Sequence, residues 1–492
     1  MYTEIDALGL AETTATRIVI AKRRHYVPFF AAAEALAHKR KMIIGGDVGL
    51  HMLLGTPIDL INPQYEFLSD NALTDARELT DALYKVAPDG LGHYTNMRTI
   101  VPQREFVVSV NERPLFHVTA FAVTRGVRLV DIILPSTRPA TFAKTSDGEP
   151  VPLLCLGPEI QLIDVYARLS NPAYAKTWVD LLRAEEVLRV MFLAEIRMKL
   201  QRMLRGTEAH SSGHESMDRD AVIPTEARMS LHHGSGDSED DVRTSLHKTD
   251  SSSAHVIKTF FDEYVPRSGH VLVGEGARTT STPPTLKRIQ IVTANRLKDE
   301  EAVVGRIARR LGFRTQSTTN DPKIPTDSRL RRMTIYRVQS GARRVPFLDI
   351  YNSGEYEILP TTEPTHAGVR AGTFFVRLRY LLVDIWTMLL IHMMKMVDSR
   401  YARDVVEKFV KEFERTAGEY TAARDAATTS DDLSTLFPTQ ADDYVGRYSD
   451  PVIAAKRLRF ENVRRAFQKS GARRPNYWPY YPARSARKTA RT

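Results

Sequence analysis

The chain has 492 residues, 42% hydrophobic and 26% charged, with a formal net charge of +10 and one cysteine, Cys155. That length suits two or three domains of roughly 100–200 residues each. A lone cysteine excludes an internal disulfide framework, and an N-terminus with early acids and no apolar core excludes a signal peptide, so a soluble intracellular protein is expected.

The first informative stretch is MIIGGDVGLHMLL, residues 42–54. An apolar strand runs into the Gly45-Gly46 turn and then into a helical pattern. Glycines let the backbone approach a ligand closely, and the N–H groups of a helix N-terminus favour phosphate, so Gly45 and Gly46 are the nucleotide-binding candidates. YEFLSDNALTDARELTDALY, residues 65–84, then reads as a strand carrying Glu66 followed by an amphipathic helix. Metal-dependent nucleotidyl transfer would want two or three carboxylates near that strand, and the stretch supplies one. Asp59, Asp70 and Asp131 are the nearby acids. Strand rise puts Asp70 roughly 13 Å from Glu66, where it reads as a turn or helix-capping residue. Asp131, within LVDII, reads as a strand residue and is the better substitute ligand.

His93 and Tyr94 read as ordinary loop residues near the nucleotide side. Residues 104–110 (REFVVSV) and 113–121 (RPLFHVTAF) read as strands, with Arg98, Arg104 and Arg113 as solvated edge arginines. From Gly206 to Ala254 the chain turns rich in Ser, Gly, Asp and His. It reads as a linker, since it buries too little surface to order itself and its histidines lack zinc-ligand spacing with cysteine.

The second half repeats the first. Residues 288–311 set without gaps beside 64–87 place Asn295 on Asn71, Leu297 on Leu73, Asp299 on Asp75, Val303 on Leu79 and Ile307 on Leu83. Residues 346–350 (PFLDI) match 114–118 (PLFHV) in pattern, Gln290 stands where Glu66 does, and little of the glycine turn is retained. An internal duplication with a structural second copy is the reading. Residues 379–397 form the strongest apolar run but carry Asp384, His392 and Lys395, which predicts a buried helix rather than a membrane span of about 20 nearly uncharged residues. From Lys456 onward there are twelve Lys and Arg and one acid, Glu461. Arg473, Arg474, Arg484, Arg487 and Lys488 accompany Tyr477, Trp478, Tyr480 and Tyr481, a composition suited to single-stranded RNA through phosphate pairing and base stacking.

Together these stretches resemble the poly(A) polymerase catalytic subunits of nucleocytoplasmic large DNA viruses. The residues that carry the resemblance are Gly45-Gly46, the 65–84 strand and helix, residues 162–189 with Asp164, Tyr166, Pro172 and Trp178, and residues 349–360 and 379–391. The resemblance implies an α/β (α+β) fold of two tandem nucleotidyltransferase-like domains, the second degenerate, with helical additions. The division would be 1–205, a linker at 206–255, 256–455, and a basic aromatic segment at 456–492. In active members an Asp-x-Asp pair and a third Asp on a neighbouring strand hold two magnesium ions. Those positions fall here on Gln64, Glu66 and His117, leaving Glu66 as the one metal-ligand candidate, because imidazole and neutral amide suit Mg²⁺ poorly. Asp47 adds negative charge where a triphosphate would sit.

The resemblance thus implies a role in mRNA 3′-end polyadenylation as an RNA-binding or dimerising subunit with a degraded metal site. The alternative is an active polynucleotide adenylyltransferase using ATP with Mg²⁺ or Mn²⁺. Implied partners are single-stranded RNA and a second copy or a polymerase homologue, without a membrane. The implied setting is the viral factory in the host cytoplasm, and the virion.

Overall fold

The computed structural model describes residues 26–55, 65–86, 95–121, 130, 135–170, 178–211, 255–267, 270–278, 288–293, 295–320, 322, 324, 330–338, 344–352, 359–360, 369–426 and 444–445. Gln64, Asp59, Asp131, His93, Tyr94 and the basic aromatic segment with Arg473, Arg474, Tyr477, Trp478, Arg484, Arg487 and Lys488 lie outside the described residues.

The protein is α/β. Its first unit opens with α1 (Val27–Arg40), whose first turn carries Pro28 and which ends on Lys41 in a left-handed conformation. There follow β1 (Ile43–Gly45), α2 (Gly46–Leu54), β2 (Tyr65–Ser69), α3 (Ala72–Lys85), β3 (Thr95–Val101), β4 (Glu105–Val110), β5 (Arg113–Ala120), β6 (Ser136–Lys144) and β7 (Pro150–Cys155). The sheet order is β3-β4-β5-β2-β1-β7-β6. Strand alternation sends Tyr65 and Phe67 of β2 into a core with Phe29, Phe30 and Leu36 of α1 and Ala76, Leu79 and Leu83 of α3. Glu66 and Leu68 face the other side, toward α4 (Pro158–Leu169) and α5 (Trp178–Ser211).

The second unit repeats this plan with α6 (residues 255–263), β8 (His270–Val273), β9 (Ile289–Thr293), α7 (Leu297–Arg310), β10 (Arg314–Asn320), β11 (Arg331–Val338), β12 (Arg344–Asn352), α8 (Phe374–Met393) and α9 (Ser399–Ala426). Its sheet runs β10-β11-β12-β9-β8. In each unit the first two strands pair antiparallel, the second pairs parallel with the fifth, and the outer three form an antiparallel meander. The register is also shared, since Glu66 stands opposite His117 and Gln290 opposite Asp349. The match of 114–118 with 346–350 therefore holds residue for residue.

Two details of the sequence comparison need correction. Ser69 Oγ accepts from the Asn71 amide and Thr293 Oγ1 from the Asn295 amide, but their carboxylate partners are Asp75 and Glu300. The second copy thus carries one extra residue before its helix, so Glu300, not Asp299, answers Asp75. A gapless alignment misses this because both helices keep an apolar stripe of the same period. The glycine turn is also better retained than the sequence indicated: Gly46 (φ +61°) and Gly274 (φ +66°) share a left-handed conformation beneath Glu66 and Gln290.

The units meet through α4, α5, α8 and α9, whose apolar faces merge into one core with the inner faces of both sheets. Tyr166 stacks on Phe375, and Phe192 and Phe413 meet edge to face, as do Phe121 and Trp386. Arg189 donates to Thr421 at 3.3 Å, and Arg197 pairs with Glu414 at 2.5 Å. Helix α8 is buried through most of its length, as its sequence indicated. Among the described residues no helix is long and apolar enough to cross a membrane.

Candidate functional site

The candidate site lies where β1 ends, α2 begins, β2 passes alongside and α4 closes over the sheet. Gly45 is extended at the end of β1. Gly46 turns left-handed, which places the start of α2 directly against the Glu66 carboxyl: a β-carbon added at Gly46 would lie 2.5 Å from Glu66 Cδ. The glycine is therefore used for close approach, but the group it approaches is a side chain of this chain. Solvent reaches Glu66, although the Gly46 turn and the start of α2 crowd one side of its carboxyl with protein atoms. That crowding pushes its pKa up to about 7, with the charge of Asp164 adding, the Arg168 guanidinium opposing and Asp47 adding again.

Asp47 stands in the first turn of α2. Asp164 and Arg168 lie one turn apart on α4, where residues four apart share a face. Arg168 forms an ion pair with Asp164, Nη2 to Oδ2 at 2.6 Å, and reaches Asp47 with Nη1. Its side chain is 13% exposed and that of Asp164 18%, so their contact forms largely out of water, whereas Asp47, 45% exposed, meets Arg168 from the solvent side. Acids from α2, β2 and α4 thus surround one guanidinium.

His117 lies on the same face as Glu66, opposite it on the parallel neighbour β5. Burial holds its pKa below the usual imidazole range, against the charge of Glu105. Its Nε2 is buried with no hydrogen-bond partner among the described residues. A neutral imidazole therefore stands in register with the Glu66 carboxyl. Among the described residues no group of three His, Cys, Asp or Glu side chains is placed to hold a metal ion. The donor set does not suit a pair of hard divalent ions.

Of the other residues weighed from the sequence, Asp70 lies in the turn between β2 and α3 rather than at the site, and Arg98, Arg104 and Arg113 are exposed on β3, the following turn and the start of β5. Sequence reasoning missed Arg168. Its signal was the Asp164-x-x-x-Arg168 spacing, which marks an ion pair on one helix face but does not say which third group it meets.

The same place in the second unit is closed. Asp349, in register with His117, is bound by Arg288, by Arg332 Nη2 at 3.3 Å and by Thr334 Oγ1 at 2.7 Å. Asp384 accepts from Tyr351 and, at 2.9 Å, from Gln290 Nε2, and it pairs with Arg332 at 3.4 Å. Burial opposes ionisation of Asp349, but Arg288 and Arg332 overcome it and hold its pKa below the usual carboxylate range. Asp384 answers Asp164, each lying on the helix that covers its sheet, within matching LIDVY and LVDIW segments.

A Gln at the Glu66 position already packs beneath a glycine turn in the second unit, so Glu66→Gln should fit. The raised Glu66 pKa fixes the sign of its effect. The folded state holds a proton that the unfolded chain releases between the ordinary value of 4.5 and about 7, so the wild type loses stability as pH rises through that window. Glu66→Gln should therefore melt higher than the wild type at pH 8 and at the same temperature near pH 4. Thermal melts across this range check it; a variant that melts lower at pH 8 would show that the ionised carboxylate is stabilising.

No family model matches the chain. In sequence it is similar to an uncharacterized protein of African swine fever virus, 27% identical over 453 residues for an isolate from Malawi. For isolates from South Africa and Namibia the identity is 28% over 458 residues, and all three alignments cover 92% of this chain and 94% of the relative. Among solved structures, the Megavirus polyadenylate synthase aligns with a TM-score of 0.49 and 14% identity, over 96% of this chain and 84% of that one.

Proposed function

We propose that this protein is a nucleotidyltransferase-like subunit in viral mRNA 3′-end polyadenylation, one that binds RNA or pairs with an active polymerase copy without transferring adenylate itself. The observation that carries the reading is the Glu66–His117 register, which sets an imidazole where a second strand carboxylate would complete a two-metal site. Two metals stabilise both the attacking and the leaving oxygens, and one carboxylate beside an imidazole does not assemble them. The order of the polymerase-like motifs along the chain and the duplicated sheet support the polyadenylation setting, and with it the cytoplasmic viral factory. The twelve cations after Lys456, interleaved with aromatics, support single-stranded RNA as the ligand.

The test uses the purified full chain with ATP, Mg²⁺ or Mn²⁺ and an oligoribonucleotide primer. No primer extension is expected, while the primer itself is bound. Deleting residues 471–492, which removes six cations, should weaken that binding and flatten its salt dependence, because fewer counterions are released. Tail synthesis that disappears in Glu66→Ala would establish the active adenylyltransferase instead. Unchanged affinity and salt slope after truncation would move the RNA path to the folded units.

A further inference from the structure

The geometry points to Arg168 as a tethered counter-cation, a side chain that takes the charge-neutralising place of a divalent ion at the Glu66 acid cluster; this rests on the non-catalytic reading of that site. Three elements bring Asp47, Glu66 and Asp164 toward it. It pairs with two of them and opposes the upward shift of the third's pKa. A guanidinium held on two carboxylates offsets their repulsion as a cation would. It has no open coordination position and cannot leave, so it neutralises the cluster without offering a metal to a nucleotide.

The second unit supplies an independent instance by a different route. Arg332 there joins the two carboxylates at the equivalent positions, Asp349 and Asp384. It does not correspond to Arg168, since four residues past Asp384 the helix carries Met388. Arg332 instead enters from β11. The ladders place Val107 opposite His117 and Thr334 opposite Asp349, so the β4 residue answering Arg332 is Glu105. With an acid there, the first unit draws its arginine from the covering helix. Two copies of one sheet thus neutralise acids at the same place with arginines from unrelated positions, which is expected where internal charge balance is retained and metal exchange is not.

The experiment is thermal melting of the full chain with and without millimolar Mn²⁺, comparing wild type, Glu66→Gln, Arg168→Ala and Arg168→Lys. Wild type and Glu66→Gln should show equal Mn²⁺ shifts, because any Mn²⁺ bound elsewhere, as by the histidines of residues 210–255, is common to both. Arg168→Ala should melt lower by about 2–4 °C at neutral pH, with at least half of the loss restored by Mn²⁺ or by adding Asp164→Asn. Arg168→Lys, which keeps the charge, should lose less than Arg168→Ala. A wild-type Mn²⁺ shift that Glu66→Gln abolishes would overturn the inference, and that comparison decides the matter even where Arg168→Ala does not fold. An Arg168→Ala melt equal to wild type would overturn it too. Primer extension by the wild type is a separate readout, and it would sink the functional reading instead.

Discussion

Arg332→Ala is expected to destabilise the fold by about 3–5 kcal/mol, the range for breaking a buried ion pair from one side. Arg332 lies over the Tyr351 ring and between Asp349 and Asp384, both essentially without solvent contact. Burial opposes its charge, but the two carboxylates more than compensate and hold the guanidinium protonated well above its ordinary range. Alanine would leave Asp349 with Arg288 as its one cation beside the neutral donor Thr334 among the described residues, while Asp384 would keep the neutral donors Tyr351 and Gln290. Asp384, already pushed toward its neutral form by burial, would take up a proton on folding. The loss should therefore shrink as the medium becomes acidic. Equilibrium urea unfolding at two pH values measures both parts, and a loss below about 1 kcal/mol, the scale of an exposed pair, would show that water enters the cluster.

Gly46→Ala should produce the second large effect. The left-handed backbone alone costs a residue with a β-carbon roughly 1–2 kcal/mol. The added carbon also meets both Glu66 carboxylate oxygens at 2.8 Å, so the carboxyl must move away from the turn and change its distances to Asp164 and Arg168. Pairing the change with Glu66→Ala separates the two contributions. The double variant should recover the steric part and retain the backbone part, leaving a coupling of the size seen for residues in contact, about 0.5–3 kcal/mol. Strict additivity in denaturant unfolding would mean that the turn and Glu66 are not packed together in solution. At Gly274 the corresponding carbon would lie 2.1 Å from Gln290 Oε1, so the same logic applies in the second unit.

The tandem α/β plan was legible because both copies advertise it twice, once in hydrophobic period and once in the shared order of strand, polar turn and helix. Glu66, His117 and Gln290 could be placed for the same reason. What stayed hidden depends on contacts between elements far apart in sequence. Arg168 lies 121 residues from Asp47, and no local pattern joins them. Gly274 of the second copy was passed over because the Gly-Glu-Gly of residues 274–276 is a weak signal without the side chain that closes over it. Arg288 and Arg332 carried no local signal that singled them out, and Asp384 looked like an interruption in an apolar run. Only the fold shows that the two acids face each other and need a cation.

The single core formed by α4, α5, α8 and α9 bears on how the chain holds together. Each unit presents to the other a surface of buried aromatics and aliphatics that would otherwise face water, and Arg189 with Thr421, Arg197 with Glu414 and Arg424 with Glu186 make polar contacts at its rim. Physically the two sheets stand to each other as the subunits of a dimer fused into one chain. The halves can therefore diverge in chemistry, with Glu66 solvent-accessible in one and Asp349 and Asp384 buried in the other, while being constrained jointly at the seam. A substitution at Tyr166 or Phe375 is felt by both halves at once, whereas a substitution on an outer meander is felt by one.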